Sequence, residues 1–222
     1  MTFSVVTGAN RGIGLALVAV LKQRGGTVLA ACRQSSPELE KLGVEVVPGV
    51  DVATDGGLAA LVAAVGTRSV DLLVNNAGIL VWGDRLGELD VAGIRNQFEV
   101  NALGPLRLTD ALRERLAPGA KVALITSRMG SIDDNSSGGA YGYRMSKAAL
   151  NMAGKSLAID LRGRGVAVAI LHPGMVRTDM TGGHGGQVDA PDAARDLLAR
   201  IDALTLETTG GFWHANGQRL PW

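Results

Sequence analysis

Phe3-Ser4-Val5-Val6-Thr7-Gly8-Ala9-Asn10-Arg11-Gly12-Ile13-Gly14 is the stretch that decides the fold. Phe3–Thr7 reads as a buried strand, and a helical pattern over Gly12–Arg24 opens directly after the turn. Gly8, Gly12 and Gly14 allow a tight turn, close backbone approach to a pyrophosphate, and close packing of helix on strand. The helix N-terminus supplies free N–H groups and a dipole that favours the anion. Asn10, Arg11 and Ile13 lie in the same stretch and complete its candidate cofactor-binding set. A Gly-rich strand–helix turn without a ligand is the bland alternative; the strand before it and the helix after it favour the dinucleotide reading.

Outward from this turn, short apolar runs alternate with amphipathic segments. Thr27–Cys32, Val44–Val47, Val70–Asn75, Lys121–Thr126 and Val166–Leu171 read as further buried strands. Helical patterns cover Leu58–Val65, Val91–Leu116, Tyr143–Arg162 and Asp192–Leu204. Such alternation implies βαβ units, and right-handed crossovers restrict them to an α/β, doubly wound, mostly parallel Rossmann sheet of about seven strands. No repeat or linker divides residues 1–222, so a single domain is expected. Thr181–Gly186 is the most flexible-looking stretch.

The ends of the strands carry the candidate binding residues. A fold of this kind that uses NAD usually has Asp or Glu after the second strand. Here Ala31-Cys32-Arg33-Gln34 stands instead, and Arg33 with Arg11 can reach a 2′-phosphate, which favours NADP(H) over NAD(H). Asp51 and Val52 follow the third strand, where they suit either an adenine edge or a helix cap. In Asn75-Asn76-Ala77-Gly78 the double Asn can cross-link neighbouring backbones, and Ala77 and Gly78 leave room for a cofactor. Pro173-Gly174 makes a sharp turn at the nicotinamide end, with Val176 and Thr178 beyond it.

Tyr143 and Lys147 share a helix face at i and i+4. A phenol holds its proton to about pH 10, and a nearby cation lowers that value toward the range useful for acid–base work. Asn101 lies inside the long fourth helical segment just before Gly104-Pro105, where a kink frees backbone groups and can hold a water. Ser127 ends the fifth strand, and Ser131, Ser136 and Ser137 follow in the loop; Ser127 is favoured over Ser131 because a strand end fixes a side chain better. His172, His184 and His214 lack metal-ligand spacing, and His172 reads as packed near its turn.

Taken in order, Thr7-Gly8-x-x-x-Gly12-x-Gly14, Asn75-Asn76-Ala77-Gly78, Asn101, Ser127, Tyr143-x-x-x-Lys147 and Pro173-Gly174-x-Val176-x-Thr178 resemble the short-chain dehydrogenase/reductase family over nearly the whole chain. Gly130-Ser131-Ile132, Gly138 through Lys147, and the ending Gly210 through Trp222 are similar to the carbonyl-reductase-like branch that includes the C-factor and sniffer proteins. The resemblance implies an oxidoreductase that reduces a carbonyl with NADPH. In it Tyr143 gives the proton, Ser127 binds the carbonyl oxygen, Lys147 lowers the Tyr pKa and holds the ribose, and Asn101 positions a water. Relative to the family, the Ser127–Tyr143 gap is wide and the substrate-binding loop near residues 179–191 is short and Gly-rich, which implies an open, permissive pocket. Tyr141 has no Lys at i+4 and reads as lining the substrate mouth.

Composition narrows the alternatives. The chain has 222 residues, 46% apolar and 19% charged, with net charge +1, so no electrostatic partner such as nucleic acid or an anionic membrane is indicated. Lone Cys32 forms no internal disulfide and no metal site, and no run is apolar enough to span a bilayer. Met1-Thr2-Phe3-Ser4 shows no basic n-region or cleavage site, so a cytoplasmic protein is expected. Trp82, Tyr141, Met175, Met180 and Trp213 suit a hydrophobic aldehyde, ketone or quinone, and nothing indicates a charged substrate group. Two other functions compete: a non-enzymatic NAD(P)-binding regulatory protein, and an NAD-dependent alcohol dehydrogenase. Small residues Ala149, Ala153 and Ser156 suit a homodimer or homotetramer, and equally packing on the chain's own sheet; Trp213, Leu220 and Trp222 form an apolar tail that can close the pocket or dock on a neighbour.

Overall fold

The computed structural model describes residues 2–181 and 186–222. Its strands are β1 (Phe3–Thr7), β2 (Thr27–Ala31), β3 (Glu45–Val47), β4 (Val70–Asn75), β5 (Leu116–Ile125), β6 (Ala167–His172) and β7 (Phe212–His214). They form one sheet in the order β3-β2-β1-β4-β5-β6-β7, and every neighbouring pair is parallel. The helices are α1 (Gly12–Gln23), α2 (Pro37–Glu40), α3 (Asp55–Val65), α4 (Val91–Phe98), α5 (Gly104–Leu112), α6 (Tyr141–Asp160) and α7 (Ala190–Asp202). Strand order reverses between β1 and β4, so a crevice opens at their carboxyl ends, where ligands bind in sheets of this kind.

Successive side chains of a strand point to opposite faces, and here each face carries its own core. Val5, Leu29, Leu73 and Leu124 pack with Leu61, Leu108, Leu150 and Phe212 on one side. Val6, Val28, Val74 and Leu171 pack with Leu17, Val18, Leu197 and Ile201 on the other. All five residues of β1 are buried, as a central strand covered on both faces requires.

Several elements depart from the sequence expectation. Val91–Leu116 is not one helix: α4 passes into a π turn over Glu99–Leu103, then α5, and Leu116 already begins β5. β7 escapes a periodicity reading because it has only three residues, although Phe212 is almost fully buried. α2 is a single turn started by Ser36, whose hydroxyl accepts from Leu39 N at 3.2 Å. In the stretch expected to be flexible, Gly182–Gly185, including His184, lies outside the described residues. Among the described residues, no helix is long and apolar enough to cross a membrane.

Candidate active site

The glycine turn is a cradle made of main chain. Gly8 has φ +65°, a left-handed conformation that favours glycine, and a Cβ there would sit 2.8 Å from Ala77 Cα. At Gly14 a Cβ would collide with the Gly8 carbonyl oxygen. The Thr7 hydroxyl accepts from Asn76 N at 3.0 Å and Ala77 N at 3.1 Å, and Asn76 Nδ2 donates to the carbonyls of Thr7 and Gly8 at 3.0 and 3.1 Å. The backbone cross-link expected of the double Asn is therefore made by Asn76. Asn75 turns away instead and donates to Thr109 Oγ1 at 3.2 Å, which ties β4 to α5.

Around this cradle the other expected cofactor residues converge unevenly. Gly78 lies close to both Asn101 Oδ1 and Lys147 Nζ, and Thr178 packs over Gly12. Gly174 turns at φ +88° beside His214, and Val176 forms a parallel bridge to Val188. Arg33 stands exposed at the end of β2, with the buried and unpartnered Ser35 Oγ two residues on. Arg11, expected to share a 2′-phosphate, pairs with Asp179 at 3.0 Å; both side chains are exposed, so the pair is weak. Ile13 lies in the first turn of α1, and Asn10 accepts the Ser36 hydroxyl at its carbonyl at 2.7 Å. Asp51 is not the cap of α3: its Oδ1 accepts from Ala53 N at 3.0 Å, while Thr54 caps the helix by accepting from Gly57 N at 3.1 Å. Val52 is buried, with its carbonyl oxygen close to Gly104. Close-packed main chain and an anion-ready helix end fit the pyrophosphate of a dinucleotide, and exposed Arg33 past the end of β2 is compatible with a phosphate on its ribose.

The reactive side chains meet where β5 and α6 approach. Ser127 follows β5, and its Oγ accepts from Met129 N at 3.2 Å. Tyr143 and Lys147 stand one turn apart on α6, both buried, with Lys147 Nζ 5.7 Å from the Tyr143 ring centroid. Burial pushes the Tyr143 phenol up from its ordinary value, and a hydrogen bond with the Ser127 hydroxyl pulls it partly back. Burial pushes Lys147 down to about 8. Lowering by Lys147 is not what moves the phenol here: burial dominates both groups, and one N–H of the Lys147 ammonium donates to the Ile125 carbonyl at 2.9 Å, which leaves two for the site. The consequence is a phenol that keeps its proton at neutral pH.

Ser131 does not compete with Ser127. Its hydroxyl donates to the Trp222 main-chain oxygen at 2.9 Å and accepts from Asp134 N at 3.1 Å. The same Trp222 oxygen accepts from Ile132 N and Asp133 N at 2.8 Å, and the Trp222 ring stacks on Phe212 at 5.6 Å. With Leu220 in the core, the tail is fastened to the chain's own loop. Asn101 sits fully buried in the π turn, a distortion frequent at functional sites. Its amide exchanges two bonds with the Ile79 backbone, at 2.8 and 2.9 Å, and donates to Ser146 Oγ at 3.0 Å. The side chain expected to position water is thereby committed to holding the loop after β4 against α6. His172 packs edge-on against His214 at 5.0 Å and is pushed down to about 4, chiefly by burial, so it is neutral and structural.

Sequence reading missed the residues that aim α6. Asp84 is buried; its Oδ2 accepts from Gly142 N at 2.8 Å and its carbonyl from Ala140 N at 3.0 Å. Gln97, fully buried, closes on Gly142 from α4 and accepts from Val81 N at 3.0 Å. A carboxylate at the N-terminus of a helix is favoured by the helix dipole, and here it holds the turn that carries Tyr143.

Residues 3–188 match the model of the short chain dehydrogenase family, and the chain belongs to that family. It is 44% identical over 227 residues, covering all of both chains, to 1-hydroxy-2-glutathionyl-2-methyl-3-butene dehydrogenase of Rhodococcus sp. (strain AD45). It is 48% identical over 167 residues, 74% of this chain and the full length of the relative, to C-signal of Myxococcus xanthus. Among solved structures it resembles the NADPH-bound carbonyl reductase from chicken fatty liver, with a TM-score of 0.90 and 29% identity over 100% of this chain and 99% of that one.

Proposed function

We propose that this oxidoreductase reduces a carbonyl compound to an alcohol with NADPH, Tyr143 giving the proton. The carrying observation is the buried Tyr143 phenol beside the Ser127 hydroxyl, with Lys147 Nζ 5.7 Å from its ring. A phenol raised by burial is fully protonated at pH 7, which is the form that carbonyl reduction consumes. The cofactor supplies the hydride when bound. Ser127 and Tyr143 then present two O–H donors to the carbonyl oxygen and stabilise the charge that develops there. Lys147 re-supplies charge and proton from behind, and Asn101 keeps the loop after β4 seated on α6. Arg33, exposed just past the end of β2, is proposed to prefer the 2′-phosphate of NADPH over the free hydroxyl of NADH.

Removing the phenol hydroxyl deletes the acid, so Tyr143→Phe is expected to lose about 10²–10⁴ in turnover while NADPH affinity stays within a few-fold. Near-normal turnover with cofactor binding intact would sink the assignment.

Likeness to C-signal over 74% of the chain favours a second reading, a cofactor-responsive regulatory protein. A sensor needs the glycine turn and Arg33, whereas it has no use for a buried proton donor with Ser127 and Lys147 around it. Exposed Met145, Met152 and Ile159 form a stripe along α6, while Ala149 packs inward on the core, so a homodimer is proposed to form through the apolar stripe.

A further inference from the structure

A cavity of about 670 Å³ opens beside the catalytic helix, walled by Trp82, Arg85, Glu88, Met129, Ser137 and Arg144 among others. Ser127 and Tyr143 do not line it. It adjoins Ser127 through its wall residue Met129, whose N donates to Ser127 Oγ at 3.2 Å. Ligand pockets of roughly 300–1,000 Å³ hold drug-sized molecules, so this volume exceeds the need of a small aldehyde or ketone. Trp82 offers an exposed apolar face to whatever enters.

The charges of the wall are unequally satisfied. Glu88 takes Arg85 Nε at 3.0 Å and Arg85 Nη2 at 2.8 Å through both its oxygens. Asp84 is turned to Gly142 N and is buried. Among the described residues Arg144 has only neutral acceptors: Nη2 donates to Ser137 Oγ at 2.8 Å, and Nη1 reaches the Met129 carbonyl at 3.5 Å. Its Nε is buried with no partner, and among the described residues it belongs to none of the ion pairs, which in this region are Arg85–Glu88 and Arg128–Asp134. A guanidinium left without a carboxylate, its planar fork on the wall of a roomy cavity, is matched to a bidentate carboxylate.

We infer that this side cavity holds an anionic arm of the substrate, with Arg144 binding its carboxylate while the carbonyl end reaches Tyr143. The substrate class is then an amphipathic carbonyl compound with an extended apolar middle and a carboxylate at its far end. That departs from the uncharged substrate the sequence suggested, and it rests on the reductase reading.

The test uses one ketone in two forms, a terminal carboxylate and its methyl ester, assayed with NADPH on wild type, Arg144→Met and Arg144→Lys. The readout is the acid-to-ester ratio of kcat/KM, with KM and kcat separated. Arg144→Met is expected to lower that ratio by about tenfold or more, through KM, because a charge-assisted bidentate contact is lost. Arg144→Lys should restore part of it, which a merely structural role at Ser137 and Met129 would not do. An unchanged ratio would overturn the inference, whatever the absolute rates. Should wild type reduce neither compound, the reductase reading has failed separately. Binding of the carboxylate compound to the NADPH-loaded protein, by calorimetry, then decides the cavity: affinity lost in Arg144→Met supports it, and equal affinity overturns it.

Discussion

At the β1–β4 edge the site is held by main chain and at α6 by side chains that reach across the fold. Gly8, Gly14 and Ala77 touch backbone to backbone, and the Thr7 and Asn76 side chains only lock what the glycines permit. On the other side, Tyr143 is aimed by Asp84, Gln97, Asn101 and Ser146, each bonded to an element distant in sequence. The first half tolerates no added atom. The second half tolerates no lost polar partner.

The largest expected effect comes from adding one carbon to the first half. Gly14→Ala forces its Cβ into the Gly8 carbonyl, backbone that cannot swing aside, so the cost lies at or above the ~3 kcal/mol end of overpacking. NADPH binding, followed by fluorescence titration, should fall below detection; wild-type affinity would erase the distinction between the halves.

The second half is probed by subtraction. Asp84→Ala leaves Gly142 N without its acceptor in a buried place and is expected to cost about 1–3 kcal/mol in denaturant unfolding. It should lower kcat more than it weakens NADPH, and Asp84→Asn, which still offers an acceptor, should recover most of the loss. A drop in cofactor affinity with kcat preserved would mean that Asp84 serves the cradle instead.

A pH profile gives the smallest effect and the sharpest sign. Lys147 falls from 10.5 to about 8 on burial, so the unfolded chain binds more protons between those values. Stability should therefore rise with pH across that window, because the buried ammonium is relieved of its charge. Activity should move oppositely: kcat/KM is full below pH 8 and falls about tenfold for each unit above it as the ammonium is lost. Parallel movement of the two curves would break the account of Lys147.

The same contrast explains what was legible in the sequence. The cradle lies within Thr7–Gly14, and Tyr143 and Lys147 within one helical turn, so local spacing reveals both. The alternation of apolar runs likewise gave the doubly wound parallel sheet. Asp84 meets Gly142 across 58 positions, and Ser131 meets Trp222 across 91, and no periodicity carries such pairs. Gly104-Pro105 announced a break near Asn101, yet the π turn and the grip on Ile79 depend on packing with α6. The direction of the Tyr143 shift differs from the expectation for a related reason: spacing shows a cation on the same face, whereas burial, the largest influence on the phenol, comes from packing across the fold.

The most direct test of the account is NADPH consumption by wild type over a panel of aldehydes, ketones and quinones, with NADH run beside it. Substrate-dependent oxidation of NADPH, and slower oxidation of NADH, is the predicted result. NADPH that binds tightly but is oxidised by no carbonyl would contradict it and leave the regulatory reading in its place.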